Sequence, residues 1–203
     1  MLHNYLKKAF LLTGGLLGSQ LADAQTLLHY WNFNSNASVA AITTPTQTSG
    51  GASITATAGP NNSIIDFAEG TGGDFGTLNA QNGEAAGSHL RFNMPIGGSL
   101  EFALPTTGYE NIMVRFTTRR SGQGAGTQTW SYSTDGGTNY TVLGNVLPVN
   151  GVPELATLDL SAIAAANNNA NLKLKVEFTA APGGVEGNNR FDNFTVHGML
   201  PVV

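Results

Sequence analysis

Hydrophobic and polar side chains alternate with a period of two in many short stretches of this chain. In the clearest stretch, residues 111–119, Ile112, Val114 and Phe116 fall on one face and polar or charged residues on the other. Residues 172–178 repeat the arrangement with leucine, valine and phenylalanine alternating with lysine and glutamate. This is the repeat of a β-strand with one buried and one solvated face.

Glycine, proline, asparagine and aspartate separate these stretches, as turns between short strands require. The further predicted strands are residues 27–33, 53–58, 63–67, 89–93, 99–104, 129–133, 139–143, 155–160 and 191–196. Helical periodicity is nearly absent, with about one turn predicted at 161–166, and residues 35–51 and 69–88 are predicted long loops. The pattern predicts an all-β fold, a two-sheet antiparallel β-sandwich of about ten to twelve strands.

The first residues have the organisation of a secretory signal peptide. Lys7 and Lys8 precede a short apolar run that ends at the small residues Ala22 and Ala24. We therefore expect residues 1–24 to be a signal peptide, 25–198 the sandwich domain, and 199–203 a tail or the start of a linker. Because no stretch of roughly 20 unbroken apolar residues occurs, no membrane span is predicted.

The composition narrows the function classes further. Cysteine is absent, which excludes disulfides and thiolate metal sites, and the net charge is −4, which argues against nucleic acid as a partner. The three histidines outside the predicted signal peptide stand alone, without metal-ligand spacing, and no Gly-x-Ser-x-Gly or phosphate-loop motif occurs. We therefore expect a protein that is not an enzyme.

A turn motif lies between two of the predicted strands. Residues 133–140 resemble an Asp box, with Ser133, Asp135, Gly137 and Tyr140 at the matching positions. In such a hairpin the carboxylate accepts hydrogen bonds from its own backbone amides, so the motif predicts a structural turn.

A metal site is one interpretation of the last predicted strand. Asp192 alternates with Phe194 and Val196, which would direct its carboxylate toward the core, where a charge is costly unless it is paired or bound to a cation. Asn32 and Asn34 near the first strand would add the oxygen ligands that calcium prefers. The hypothesis is a structural calcium ion at Asp192, Asn32 and Asn34. The alternative is a carboxylate that caps a turn or pairs with Arg190.

A second candidate site combines arginine with aromatic side chains. Arg115, Arg119, Trp130 and Tyr132 would form a surface that binds a sugar or the carboxylates of a partner protein. The alternative is an ordinary solvated sheet face.

Four segments carry a resemblance to a known group of proteins: 28–34 (LHYWNFN), 118–122 (TRRSG), 130–137 (WSYSTDGG) and 187–194 (GNNRFDNF). In this order they resemble the N-terminal jelly-roll-like domain of Bacteroidetes proteins exported by the type IX secretion system. The resemblance covers nearly all of the chain after the signal peptide. It implies a secreted or cell-surface module with a jelly-roll-like sandwich and names no ligand.

Three functions agree with these observations. The first is a non-catalytic extracellular module with a structural, adhesive or self-assembling role, because a sandwich with little charge is suited to pairing through strand edges. The second is a carbohydrate-binding module, and the third is a glycoside-active enzyme, for which no local spacing of carboxylates argues. The expected partners are an extracellular glycan, a protein, or further copies of the chain.

Overall fold

The computed structural model describes residues 25–67 and 75–202. The predicted signal peptide and residues 68–74 of the predicted long loop lie outside these ranges. Strands dominate what is described, which confirms the all-β prediction. The elements are β1 (Thr26–Trp31), α1 (Val39–Thr43), β2 (Gln47–Thr48), β3 (Ser53–Thr57), β4 (Ile64–Phe67), β5 (Leu90–Asn93), β6 (Ser99–Ala103), β7 (Glu110–Arg120), β8 (Thr127–Ser133), β9 (Thr141–Val146), β10 (Glu154–Asp159), a 3-10 turn (Ala164–Ala166), β11 (Lys173–Thr179) and β12 (Asn188–Met199).

The strands form two antiparallel sheets. Sheet A has the order β10-β7-β12-β1-β2, and β5 also pairs with β12 and carries β4 at its other edge. Sheet B has the order β3-β6-β11-β8-β9. Within this arrangement β1-β12-β7-β10 faces β6-β11-β8-β9, which is the connectivity of a jelly roll, and the remaining strands extend the edges.

Aromatic rings fill the space between the two sheets. Phe102 of sheet B stacks on Phe194 of sheet A with ring centroids 4.4 Å apart, and Phe116 packs on the same ring at 5.4 Å. Trp130 packs against Phe116 at 4.8 Å. Ile112, Val114 and Phe116 are fully buried, as the alternation in 111–119 predicts. Burial of these large apolar side chains supplies the main stabilisation of the fold.

The short helix α1 lies in a stretch that the sequence predicts to be a loop. Ser38 caps it, because its Oγ accepts a hydrogen bond from the backbone N–H of Ala41 at 3.1 Å. Ile42 is the buried side chain of the helix. A helix of five residues is too short to show the 3.6-residue periodicity on which sequence prediction depends.

A bulge in β12 reverses the expected direction of Asp192. The pairing of β12 with β7 shifts between Asp192 and Thr195, and Asn193 has a φ of 46°. As a result Phe191 and Phe194 both lie in the core, whereas Asp192 pairs with Thr117 on the outer face of sheet A. The prediction that Asp192 shares the face of Phe194 is therefore wrong, because the period of two does not continue through the bulge.

Residues 75–88, here named the covering segment, lie over the outer face of sheet A. The Thr117 hydroxyl donates to the Leu78 carbonyl at 2.9 Å, and Asn79 Nδ2 donates to the Asn193 carbonyl at 2.6 Å. The Ser88 hydroxyl donates to the Phe33 carbonyl at 3.2 Å. The segment therefore converts part of an outer sheet face into a buried polar layer.

In the two described ranges, no helix is long and apolar enough to cross a membrane.

Candidate functional site

The outer face of sheet B carries a row of short polar side chains in register. Cross-strand pairing places Thr57 beside Ser99, Ser99 beside Glu177, Glu177 beside Thr129, and Thr129 beside Asn145. These five residues are here named the polar row. Directly opposed residues share one face of a sheet, and the row runs across four strand spacings, about 19 Å.

The register of the core strands confirms that the row points outward. Leu100, Val176 and Trp130, which alternate with row residues along their strands, have no exposed surface. A side chain next to a core residue in a strand projects from the opposite face. The polar row is therefore accessible from outside the sandwich.

A cleft opens over this row. Its volume is about 420 Å3, and its lining includes Thr57, Ser99, Thr129 and Glu177 together with Thr179. The exposed groups are hydroxyls and one carboxylate, set on neighbouring strands whose backbone hydrogen bonds fix their spacing. Such a cleft presents hydrogen-bonding groups in a fixed geometry.

Two loops come into direct backbone contact beside the cleft, through Gly59 and Gly98. A Cβ placed on Gly59 would lie 2.5 Å from the backbone nitrogen of Gly98, which also lines the cleft. Ser63 closes the contact, since its hydroxyl donates to the Met94 carbonyl at 2.7 Å and accepts from the Gly59 N–H at 3.0 Å. This end of the cleft is therefore closed by backbone that leaves no space for side chains.

An aromatic ring contacts the outward side chains that lie two residues along β6 and β11 from the polar row. Tyr140 lies with its ring 4.4 Å from Lys175 Nζ, and its hydroxyl donates to Glu101 Oε2. Lys173 Nζ is 2.7 Å from Glu101 Oε1, and Lys175 Nζ is 3.4 Å from Glu177 Oε1. Tyr140, Glu101, Lys173 and Lys175 are here named the Tyr140 cluster.

The electrostatics of the cluster follow from these contacts. Burial acts to raise the pKa of Glu101, but the hydrogen bonds from Lys173 and Tyr140 outweigh it and hold this pKa below its usual value. Burial and the neighbouring Glu101 carboxylate raise the pKa of the Tyr140 hydroxyl well above its ordinary range. The tyrosine therefore stays a neutral donor, and the glutamate stays an ionised acceptor.

The Asp box resemblance is confirmed as a structural turn. Asp135 Oδ1 accepts from the backbone N–H groups of Thr138 and Asn139, both at 3.0 Å, and from the Ser133 hydroxyl at 2.7 Å. These hydrogen bonds, those from Asn139 first, hold the pKa of Asp135 far below its usual value. The turn ends directly before Tyr140 and so fixes the backbone position of that residue.

The predicted arginine and aromatic site does not form. Trp130 has no exposed surface and packs in the core, so its prediction as a surface ligand-binding residue is wrong. Tyr132 is on the same inward side of β8 and packs against the core. Arg119 is 8% exposed, with its guanidinium 5.8 Å from the Phe75 ring of the covering segment. Arg115 is half-buried on β7 of sheet A, so the four side chains belong to different sheets and faces.

The predicted calcium ligands also have other contacts. Asn32 Oδ1 accepts from the Asn34 N–H at 3.1 Å, and Asn34 Nδ2 donates to the Ala85 carbonyl at 3.3 Å. No group of three or more histidine, aspartate or glutamate side chains that could hold a metal ion occurs in residues 25–67 and 75–202. Asn34 Oδ1 is buried without a hydrogen-bond partner in the described residues, so these contacts do not decide the question, and a calcium ion at Asp192, Asn32 and Asn34 stays a prediction.

Asp192 is nevertheless an unusual carboxyl group. It is 2% exposed, and burial raises its pKa to about 8, against a smaller lowering effect of the hydrogen bond from the Asn193 N–H. The neighbouring Asn193 side chain accepts from the Tyr30 hydroxyl at 2.7 Å. Unless a cation is bound, this carboxyl group is neutral at pH 7.

Sequence analysis alone missed the polar row. The alternation in 172–178 shows that Glu177 points away from the core, but it does not show which residues of other strands stand beside it. That information lies in the register of β3, β6, β8 and β9 against β11, which depends on loop geometry and core packing.

The fold defines this chain as a jelly-roll β-sandwich with an open polar face on sheet B. No family model and no curated protein matches the chain. Solved structures similar to it include a family 29 carbohydrate-binding module complexed with mannohexaose (11% identity, TM-score 0.49, 86% of this chain and 92% of that chain). Others are the module TmCBM61 in complex with β-1,4-galactotriose (14%, 0.43, 70% and 86%) and the K2 cleaved adhesin domain of Lys-gingipain (11%, 0.43, 70% and 87%).

Proposed function

We propose that this chain is a non-catalytic carbohydrate-binding module of an exported protein, and that the polar row on sheet B is its binding surface. The observation that carries the proposal is the cleft of about 420 Å3 over Thr57, Ser99, Thr129 and Glu177. This assigns the extracellular partner as a glycan.

The chemistry of the row suits a sugar. Glycan hydroxyls both donate and accept hydrogen bonds, and the hydroxyl, amide and carboxylate groups of the row offer the complementary set. Because the strands hold these groups in register, little ordering is needed when a ligand binds. A row about 19 Å long is sufficient for an oligosaccharide of several units.

The test is a glycan array followed by titration calorimetry on the best ligand. We expect Thr129→Val and Glu177→Gln each to weaken binding by about tenfold, since each removes or weakens a hydrogen bond to the ligand. Thr107→Val and Glu154→Gln are matched controls, because both residues are exposed and neither lines the cleft. Absence of binding to any glycan would contradict the proposal, as would equal losses in the control variants.

A specific observation also favours the structural or self-assembling role. The edge strands of sheet B, β3 (SITAT) and β9 (TVLGNV), contain no charged residue, and Val142 on β9 is 65% exposed. Natural edge strands usually carry charges that prevent pairing with another chain. This arrangement supports association of copies through the sheet edges as the second candidate function.

Sedimentation velocity over a range of concentrations tests the second candidate. We expect concentration-dependent multimers that Val142→Lys converts to monomers, because a buried ammonium group opposes edge pairing. Leu155→Lys, at a 48% exposed position on sheet A, is the control. A protein that remains monomeric at every concentration contradicts this role.

A further inference from the structure

We infer that Tyr140 is a stacking platform of the glycan site and that the ligand is an uncharged glycan. The inference rests on the proposed function and deepens it, because it names a specificity-determining residue and the class of ligand. Two independent features of the outer face of sheet B carry it, namely the immobilised ring and the balance of charges.

The position of the ring follows from the register. Lys175 Nζ lies 4.4 Å from the centre of the Tyr140 ring and 3.4 Å from Glu177 Oε1, so the ring lies beside the polar row. A ligand bound along the row is therefore within reach of the ring. Tyr140 is partly exposed, so part of its ring is open to solvent beside the Lys175 ammonium group.

The ring is held before any ligand arrives. Its hydroxyl donates to Glu101, and Glu101 is itself held by Lys173 at 2.7 Å. On the backbone side, Asp135 and Ser133 stabilise the turn that precedes Tyr140. An aromatic ring offers a flat apolar surface to the C–H face of a sugar, and a ring that is already fixed loses little entropy on binding.

The charges of this face compensate one another. Lys173 pairs with Glu101, and Lys175 pairs with Glu177. No positive charge is therefore left over among these four residues to attract an anionic sugar. The Glu177 side chain is 52% exposed beside the cleft and would repel a sugar carboxylate or sulfate. This distribution favours a glycan without charge.

The first experiment measures the role of the ring. Using the glycan found by the array, titration calorimetry compares the wild type with Tyr140→Leu and Tyr140→Phe. We expect Tyr140→Leu to weaken binding about tenfold and Tyr140→Phe to change it less than about threefold, because phenylalanine keeps the ring and loses only the hydroxyl. Equal affinities for the wild type and Tyr140→Leu would overturn the inference while leaving the glycan site on the polar row intact.

The second experiment measures the class of ligand. Affinity electrophoresis compares uncharged polysaccharides (glucan, xylan, mannan, galactan) with anionic ones (polygalacturonate, alginate, a sulfated glycan). We expect retardation by at least one uncharged polymer and an affinity that does not change between low and high salt. Binding restricted to anionic polymers would overturn the inference, whereas binding to none contradicts the proposed function itself.

A fold control separates loss of the ring from loss of the turn. Far-ultraviolet circular dichroism and the melting temperature are measured for each Tyr140 variant and for Tyr109→Leu, a half-buried tyrosine outside this face. We expect Tyr109→Leu to bind the glycan as the wild type does. If Tyr140→Leu does not fold, NMR of the wild type decides: we expect the ring protons of Tyr140 to shift when the glycan is added, and ring protons that do not shift would overturn the inference.

Discussion

The outer faces of the two sheets use polar residues in opposite ways. On sheet A, the covering segment buries Tyr30, Asp192 and Asn193, whose exposed fractions are 0%, 2% and 4%. On sheet B, four residues of the polar row line an open cleft, and the Tyr140 cluster lies beside the row. Both faces carry amides, hydroxyls and carboxylates, so the difference lies in what covers them.

Coverage changes the physical role of a polar group. A buried polar group must find a partner inside the protein, and its hydrogen bonds then hold the covering segment in place. An exposed group exchanges water for a ligand at little cost. The polar residues of sheet A therefore contribute to stability, whereas those of sheet B are accessible to the proposed glycan.

The pH dependence of stability should show the largest difference between the faces. The folded pKa of Asp192, about 8, lies above its ordinary value of 3.8, so the fold favours the protonated form. This contribution is complete below pH 4 and is lost as the pH rises toward 8. Within this window each unit of pH should lower the free energy of unfolding by up to about 1.4 kcal/mol.

Urea denaturation of the wild type and Asp192→Asn at several pH values isolates this effect from that of other groups. We expect the variant to be the more stable of the two at pH 8 and the difference between them to shrink toward pH 4. A difference in stability that does not vary with pH would contradict a raised pKa of Asp192 in the folded protein. A calcium ion at this carboxylate would instead abolish the slope, and a chelator would then lower the melting temperature.

The hydrogen bonds of Asn79 provide a second test of the difference between the two faces. Its Nδ2 donates to the Asn193 carbonyl at 2.6 Å and lies 3.3 Å from both the Arg115 carbonyl and Thr195 Oγ1. We expect Asn79→Ala to lower the free energy of unfolding by about 2 kcal/mol, because buried acceptors lose their donor. The measurement is denaturant unfolding, together with glycan titration, which should not change.

The matched control is Asn82→Ala in the same segment. Asn82 is exposed, and its only described side-chain contact is a long one of 3.5 Å to Gln47 Oε1. Both residues have a left-handed backbone, with φ of 54° at Asn82 and 61° at Asn79, so both variants include the cost of alanine in that conformation, and Asn82→Ala should destabilise less than Asn79→Ala by about 1 kcal/mol. If both variants unfold alike, the covering segment is not held by the buried layer.

Sequence patterns were sufficient for the faces of the long, regular strands. In β7 and β11 the strict alternation of apolar and polar residues identified Val114 and Val176 as core positions, and both are fully buried. Here each apolar residue has two polar neighbours and no backbone irregularity intervenes. Burial energy alone then decides which face points inward.

The pattern was insufficient where the backbone or a distant partner decides. The sequence interpretation grouped Trp130 with arginines on a surface, but the ring lies in the core beside the buried Gln128, whose Nε2 donates to Thr118 Oγ1 at 2.9 Å across the sandwich. Asp192 changed face through a bulge that no local alternation reveals. The first error concerns a contact between strands that lie on different sheets, and the second concerns a break in strand register; neither is visible in local sequence.

The smallest expected effect is that of pH on glycan affinity at the outer face of sheet B. The pKa values of Asp135 and Glu101 are held below their ordinary values, so both carboxylates stay ionised throughout the range from pH 5 to 8. A group with a lowered folded pKa loses its contribution only as the pH falls through that value. Glycan affinity should therefore stay within about twofold between pH 5 and 8, measured by titration calorimetry, over the range in which Asp192 lowers stability. An affinity that falls in parallel with stability would mean that the two faces act as one unit.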